Sequence, residues 1–265
     1  MIQKEIAGKD YYYKIPSWTK ALLALIIILL MLQLVSTGFK IPQYIIPAPL
    51  LIFKSILASH QMLLKQLRIT LFEAVTGFLI GNFTAILLAV LFVNYRLIEK
   101  TLLPIAIALR SIPIVAITPV ITLALGRGYA TTISIVVLIV FFPTLVNTTQ
   151  GLRSVSQEAE ELFAVLAATK NQSFYLLRLP TALPYLFSAL RVTGPGSIIG
   201  ALVAEWVATD RGIGYFILDA QSQWQFTLLW SAIIIATLMA VTAFGLVGVT
   251  EKYLLSWHES LNEEA

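Results

Sequence analysis

The sequence predicts an all-α integral membrane fold of about six transmembrane helices, and three observations carry that reading. Of 265 residues, 58% are hydrophobic and only 12% charged, half the charge of an ordinary soluble domain at about 25%. Six apolar stretches approach or exceed the roughly 20 residues needed to cross a hydrocarbon core. One long polar, helix-forming segment, SQEAEELFAVLAATKNQSFYLLRLP from Ser156 to Pro180, interrupts them. A chain this apolar needs lipid as its solvent, and within lipid only a helix satisfies its own backbone groups.

The expected spans are Lys20–Thr37, Ile69–Val93, Leu102–Leu125, Ala130–Val146, Leu183–Val207 and Thr227–Val249. Residues 1–20 read as a retained cytoplasmic tail, because charges of both signs precede the first apolar run and no small-residue cleavage site follows it. With both termini inside, the larger share of Lys and Arg falls on the cytoplasmic side, together with the 156–180 segment. Between the first two spans, PQYIIPAPL is held extended by its prolines. LLIFKSILASHQMLLKQL then has the spacing of a helix lying on the outer face. Trp18, Trp224, Trp230, Tyr253 and Trp257 fall near span ends, as interfacial anchors do. No repeat or linker divides the chain, so residues 1–265 form a single domain.

Several functions are excluded by composition. Cysteine is absent, which removes disulfides and thiolate metal sites. The two histidines, His60 and His258, are far apart and read as solvated interfacial residues. Neither a metal constellation nor a nucleophile–base set emerges, so the chain offers no catalytic residue. The net charge of +4 fits membrane orientation, whereas nucleic-acid binding wants a concentrated basic face.

The polar segment reads as two short helices. Ser156 is a good N-cap, and Glu158, Glu160 and Glu161 lie in or near the first turns, where the helix dipole favours anions. Thr169 opens the second piece with Gln172 three residues on, the spacing of a capping box. Ala167-Ala168 forms the turn between them, and Pro180 is expected to stop the second piece. Helix, turn, helix and stop make a compact knob.

The order Glu161, Ala167, Leu177-Arg178-Leu179-Pro180 resembles the EAA loop of ABC-importer permeases, E-A-A-x3-G-x9-I-x-L-P. Leu162 and Phe163 stand where that pattern has two alanines, and Ala167 where it has glycine. A left-handed Ala167 costs about 1 kcal/mol relative to glycine. The likeness extends along residues 40–250. Leu109–Gly126, LRSIPIVAITPVITLALG, is similar to the third-span signature of the nitrate/sulfonate/taurine-type permeases. Thr70–Gly81, TLFEAVTGFLIG, resembles their TL-x-R-x-x-x-GF-x-x-G, with Glu73 in place of the arginine. Leu183–Tyr215 resembles their fifth span, ending A-E-W…G-[LI]-G, and reads closest to permeases for thiamine-pyrimidine or other vitamin precursors.

The resemblance implies a type I ABC importer permease fold and a multi-pass protein of the bacterial inner membrane. It further implies that the loop is a cytoplasmic coupling helix, with Glu161, Ala167, Ala168, Thr169, Gln172, Leu177 and Pro180 coupling to ABC ATPase subunits. ATP and Mg would belong to that partner, since the chain has no G-x4-G-K-[ST] pattern and binds no cofactor itself. A second permease copy and an extracytoplasmic substrate-binding protein complete the expected assembly. Its cargo would be a small solute, either a vitamin precursor or a sulfonate- or nitrate-like anion.

Polar residues inside spans usually face protein or a water-filled cavity. On that ground Arg110, Ser111, Arg191, Ser197, Glu205 and Trp206 are candidates for a translocation path or gate. The competing reading for Arg110 is an interhelical pair or a snorkelling side chain. For Glu205 it is pairing with Arg110 or Arg211, or exposure at the interface. Gly196 and Gly200, continued by Ala204, suit close helix packing, and Glu73 and Arg68 read as orienting charges. The alternative class is an ion-coupled secondary transporter, which is expected to show broken helices in two related halves. The sequence shows no such symmetry.

Overall fold

The computed structural model describes residues 17–255, apart from the side chains of Ser17, Trp18, Ala21 and Arg110. The expected tail at residues 1–16, and Trp257 and His258, lie outside the described residues. Among the described residues every regular element is helical. They are α1 (Ser17–Gly38), α2 (Pro49–Ala58), α3 (His60–Asn94), α4 (Arg96–Arg110), α5 (Ile114–Leu125), α6 (Tyr129–Arg153), α7 (Gln157–Val165), α8 (Lys170–Ser173), α9 (Leu179–Ala208), α10 (Ile213–Ser222) and α11 (Phe226–Leu254).

Four helices are long and apolar enough to cross a membrane: α3, α6, α11 and the continuous rod Lys170–Ala208 that joins α8 to α9. The expected third span is corrected. Leu102–Leu125 is not one helix, because α4 and α5 meet at 102° across Ser111-Ile112-Pro113. Pro113 has no N–H to continue the ladder and disfavours a helical Ile112; its own backbone is extended, φ −61° and ψ 124°. By length and composition the two helices together suffice for a fifth, broken span. The expected first span falls on α1, whose described apolar stretch, Leu22–Gly38, is shorter than the four spanning helices.

Two other expectations shift. The surface helix after the first span ends at Ala58, and its second half belongs to α3, which starts at His60 and runs 35 residues. Leu63 explains this: it is fully buried against Ile213, Phe216 and Ala232, a contact that a helix lying flat on the membrane could not make. The second correction concerns Pro180. It does not stop the helix, because a π-turn, Phe174–Arg178, leads directly into α9 with Leu179 N–H donating to Phe174 O. Widening the turn there moves the Leu176 carbonyl out of the proline ring's way. The Thr181 hydroxyl donates to Leu177 O (2.7 Å), covering a second carbonyl near the proline.

α6 is the centre of the bundle, packed between α3 and α9. Small residues permit it. A Cβ on Gly77 of α3 would sit 2.5 Å from Val136 of α6, and one on Gly200 of α9 would sit 2.6 Å from Ile139. The packing expected of Gly200 is therefore present, whereas Gly196 has ordinary room, 3.8 Å from Ile139. One buried polar tie crosses the core, from the Thr144 hydroxyl to Asn82 Oδ1 (2.6 Å). α1 packs chiefly on α2, and its apolar side chains are exposed around the whole helix.

Candidate functional site

The loop between α6 and α9 forms the expected knob at one end of the bundle. Ser156 caps α7, its hydroxyl accepting from Ala159 N–H at 3.3 Å. Ala167 takes a left-handed conformation, φ 51°. Ala167 N–H donates to Ala164 O and Ala168 N–H to Phe163 O, both at 3.0 Å, the paired bonds of a Schellman ending. Glycine normally occupies that position because it has no Cβ to clash. Thr169 then opens α8 with a complete capping box: Gln172 N–H donates to its hydroxyl (3.3 Å), and its own N–H donates to Gln172 Oε1 (2.8 Å).

One ion pair braces α7 against the start of the rod, and a second ties α6 to α4 beside it. Arg178 in the π-turn pairs with Glu160 of α7 at 3.0 Å, and Arg153 at the end of α6 pairs with Glu99 of α4. Glu161 is exposed, accepting from Gln157 Nε2 at 2.8 Å. Leu162, Val165 and Leu166 are also exposed, Val165 by 84%. Their spacing of three and four residues puts them on one face of α7. In the sequence Leu162 reads only as a departure from the motif, and this face is not among the expected features. The available signal was four bulky apolar residues, Leu162, Phe163, Val165 and Leu166, within a polar loop.

Replacing Ala167 with glycine should therefore stabilise the turn by about 1 kcal/mol. Slower hydrogen exchange at the Ala167 and Ala168 amides would report it.

At the opposite end, Glu205 of α9 is completely buried. The Thr70 hydroxyl donates to its Oε1 (2.6 Å) and Gly214 N–H to its Oε2 (2.5 Å). Thr70 Oγ1 in turn accepts from Ile213 N–H (2.8 Å), and Gln66 Oε1 accepts from Gly212 N–H (2.8 Å). Glu205 thus caps the first turn of α10, where unpaired N–H groups and the helix dipole favour a carboxylate. Gly212 has φ 93°, and a Cβ there or on Gly214 would overlap Glu205. The E…G-x-G signature is a carboxylate docked into two glycines. α10 itself was absent from the expected elements, although the signature marks its start.

Glu73 lies beside Glu205, also completely buried, and no N–H or O–H of the described residues donates to it. Around this pair, Gly128 N–H donates to Ala208 O (2.9 Å) and Arg127 to Thr209 O (3.0 Å). Arg211 stacks over the Tyr129 ring, 4.3 Å from its centre. α3, the start of α6, α9 and α10 are thereby locked together.

The other expected path residues do not converge. Arg191 pairs with Glu251 of α11 at 2.5 Å, near the knob end. Ser197 is buried and donates to Gly194 O (2.7 Å), on the edge of an apolar groove of about 530 Å³ between α3, α9 and α11. Ser111 is exposed at the α4–α5 elbow, donating to Ile107 O at 3.3 Å. Trp206 is exposed by 45%, and the Arg110 side chain lies outside the described ones. The pairing considered for Glu205 with arginine is replaced by the Thr70 and Gly214 bonds, and its exposure by complete burial.

Residues 77–254 match the family model of binding-protein-dependent transport system inner membrane components. The chain belongs to that family. It is 32% identical over 217 residues to the formylaminopyrimidine transport permease protein ThiX of Halalkalibacterium halodurans, covering 82% of this chain and 87% of that one. It is 29% identical over 262 residues to a putative aliphatic sulfonates transport permease protein of Bacillus subtilis, covering 98% and 93%. Its fold matches a crystal structure of an amino acid ABC transporter with histidines at TM-score 0.60 and 14% identity, covering 76% of this chain and 98% of that one. The chain is a multi-pass permease subunit of an ABC importer with the type I permease fold, and the ion-coupled alternative is set aside. The matched region includes the knob and the Glu205 cap.

Proposed function

We propose that two copies of this chain line a path across the bacterial inner membrane, and that the α7–α8 knob of each docks on an ABC ATPase in the cytoplasm. The observation that carries this is mechanical. The knob is capped at both helix starts, braced by Arg178–Glu160, and continued without a break into a 39-residue rod reaching the opposite face. ATP-driven approach of two ATPases would move such rods as rigid bodies and switch access to the path. ATP and Mg would stay with the ATPase, and an extracytoplasmic binding protein would deliver the solute. The coupling set is Glu161, Ala167, Ala168, Thr169, Gln172, Leu177 and Pro180, joined by Leu162, Val165 and Leu166.

The cargo we favour is a small heteroaromatic vitamin precursor. The relative named for formylaminopyrimidine transport supports it. Glu161→Lys tests the coupling role: ATPase co-purification and solute-stimulated ATP turnover should both fall at least tenfold, about 1.4 kcal/mol. Full association and turnover in that variant would refute the docking.

A further inference from the structure

A polar cavity of about 270 Å³ opens where the knob meets the bundle, lined by Val93, Arg96, Leu152, Arg153, Glu160 and Arg178. Three guanidinium groups face it with one carboxylate. Arg153 and Arg178 are held by their pairs with Glu99 and Glu160. Arg96 has no ion pair among the described residues and is exposed. The cavity therefore carries an unneutralised cation beside two fixed ones.

Arg96 is also the first residue of α4, a 15-residue helix whose N-cap, Tyr95, supplies no side-chain acceptor. The positive end of the helix dipole adds to the same field, offset in part by Glu99 in the first turn of α4. We propose that this cavity binds a phosphate group, and that an anionic phospholipid of the cytoplasmic leaflet supplies it. Guanidinium forks match phosphate oxygens in pairs, which a single ammonium cannot do. The surroundings select a lipid over a soluble anion. Leu97 is 79% exposed next to Arg96, and Leu102, Ile105 and Leu109 along α4 are exposed as well. An acyl chain can lie along that helix while its headgroup sits among the arginines, as basic pockets at the cytoplasmic ends of membrane helices permit.

Such a lipid would bridge α4, the end of α6, α7 and the π-turn, which are the parts that the knob must move together. The inference uses the cytoplasmic placement of the knob but not its attachment to the ATPase or the identity of the solute.

The test takes the full-length permease, purified with its ATPase, as wild type, Arg96→Gln and Lys54→Gln. Native mass spectrometry would count retained phosphatidylglycerol against phosphatidylcholine, and thermal unfolding would be followed with each lipid and with inorganic phosphate alone. Arg96→Gln should hold phosphatidylglycerol about tenfold more weakly, the loss of one charge-assisted contact, with its lipid-free midpoint unchanged. Lys54→Gln should behave as wild type. Equal retention by wild type and Arg96→Gln would overturn the site. If inorganic phosphate protects the wild type as well as the lipid does, the anion is soluble and the lipid source is overturned. Loss of the ATPase from Arg96→Gln with lipid retention intact would make the cavity part of the subunit contact instead. The Glu161→Lys experiment can fail without touching any of these readouts.

Discussion

Gly212→Ala should lower the thermal midpoint of the folded permease sharply while leaving enough folded protein to measure. At φ 93° and ψ 167° the backbone of Gly212 lies where a side-chain-bearing residue is strained, and a Cβ would occupy the space of the Glu205 carboxyl. Strain of that kind costs about 1–3 kcal/mol, and displacing Glu205 from a bond to a backbone N–H costs roughly another 1.5–3. Together these amount to several kcal/mol, comparable with the marginal stability of many domains, about 5–15 kcal/mol. Gly214→Ala should act in the same direction, since its Cβ would sit 2.8 Å from Glu205 Oε2 and 2.9 Å from Leu202 Cα. The decisive measurement is a double-mutant cycle on thermal midpoints in detergent. Combining Gly212→Ala with Glu205→Ala should cost clearly less than the two single losses added, because the overlap disappears with the carboxylate. Strict additivity would mean that glycine is needed for backbone conformation alone.

Several features of the fold were legible in the sequence because they depend on local chemistry. Ser156 and Thr169 are caps by residue type and spacing, and both bonds form as expected. The spans of α3, α6, α9 and α11 follow from apolar length. What was not legible depends on tertiary partners. Leu63 looks like one more residue of a surface helix until Phe216 and Ala232 bury it. Pro180 reads as a stop because a proline usually is one; only a π-turn and the Thr181 hydroxyl make it compatible with a continuing helix. For Glu205 the sequence offers a gate, an arginine partner or interfacial exposure, and it does not reveal the surroundings that the fold supplies. Its partners, Thr70 and Gly214, come from α3 and α10, and one of them is 135 residues away. Arg191 reads as a path candidate from its position in a span, and the sequence does not show its ion-pair partner. Its partner Glu251 sits at the far end of α11, where only the folded bundle brings the two together.

The larger functional effect is expected from the exposed face of α7. Val165 is 84% exposed and Leu166 67%, so aspartate at both positions should leave the permease fold and its thermal midpoint unchanged. Association with the ATPase is another matter. Fully burying such side chains in a partner groove is worth about 1.5–3 kcal/mol each, so losing both should weaken the complex by at least about 100-fold. Co-purification from detergent and titration of ATPase binding would measure it. Val165→Asp/Leu166→Asp with normal affinity would leave Glu161 and the capped turn as the whole contact and remove the apolar face from it. Force transmission can be separated from attachment by Arg178→Gln, which cuts the brace to Glu160 but leaves α7 itself intact. That brace is partly exposed, so its loss should cost at most about 1 kcal/mol of stability. ATPase binding should persist in this variant while solute transported per ATP falls, because α7, released from its side-chain tie to the rod, can pivot about the Ala167 turn and pass on less of the motion.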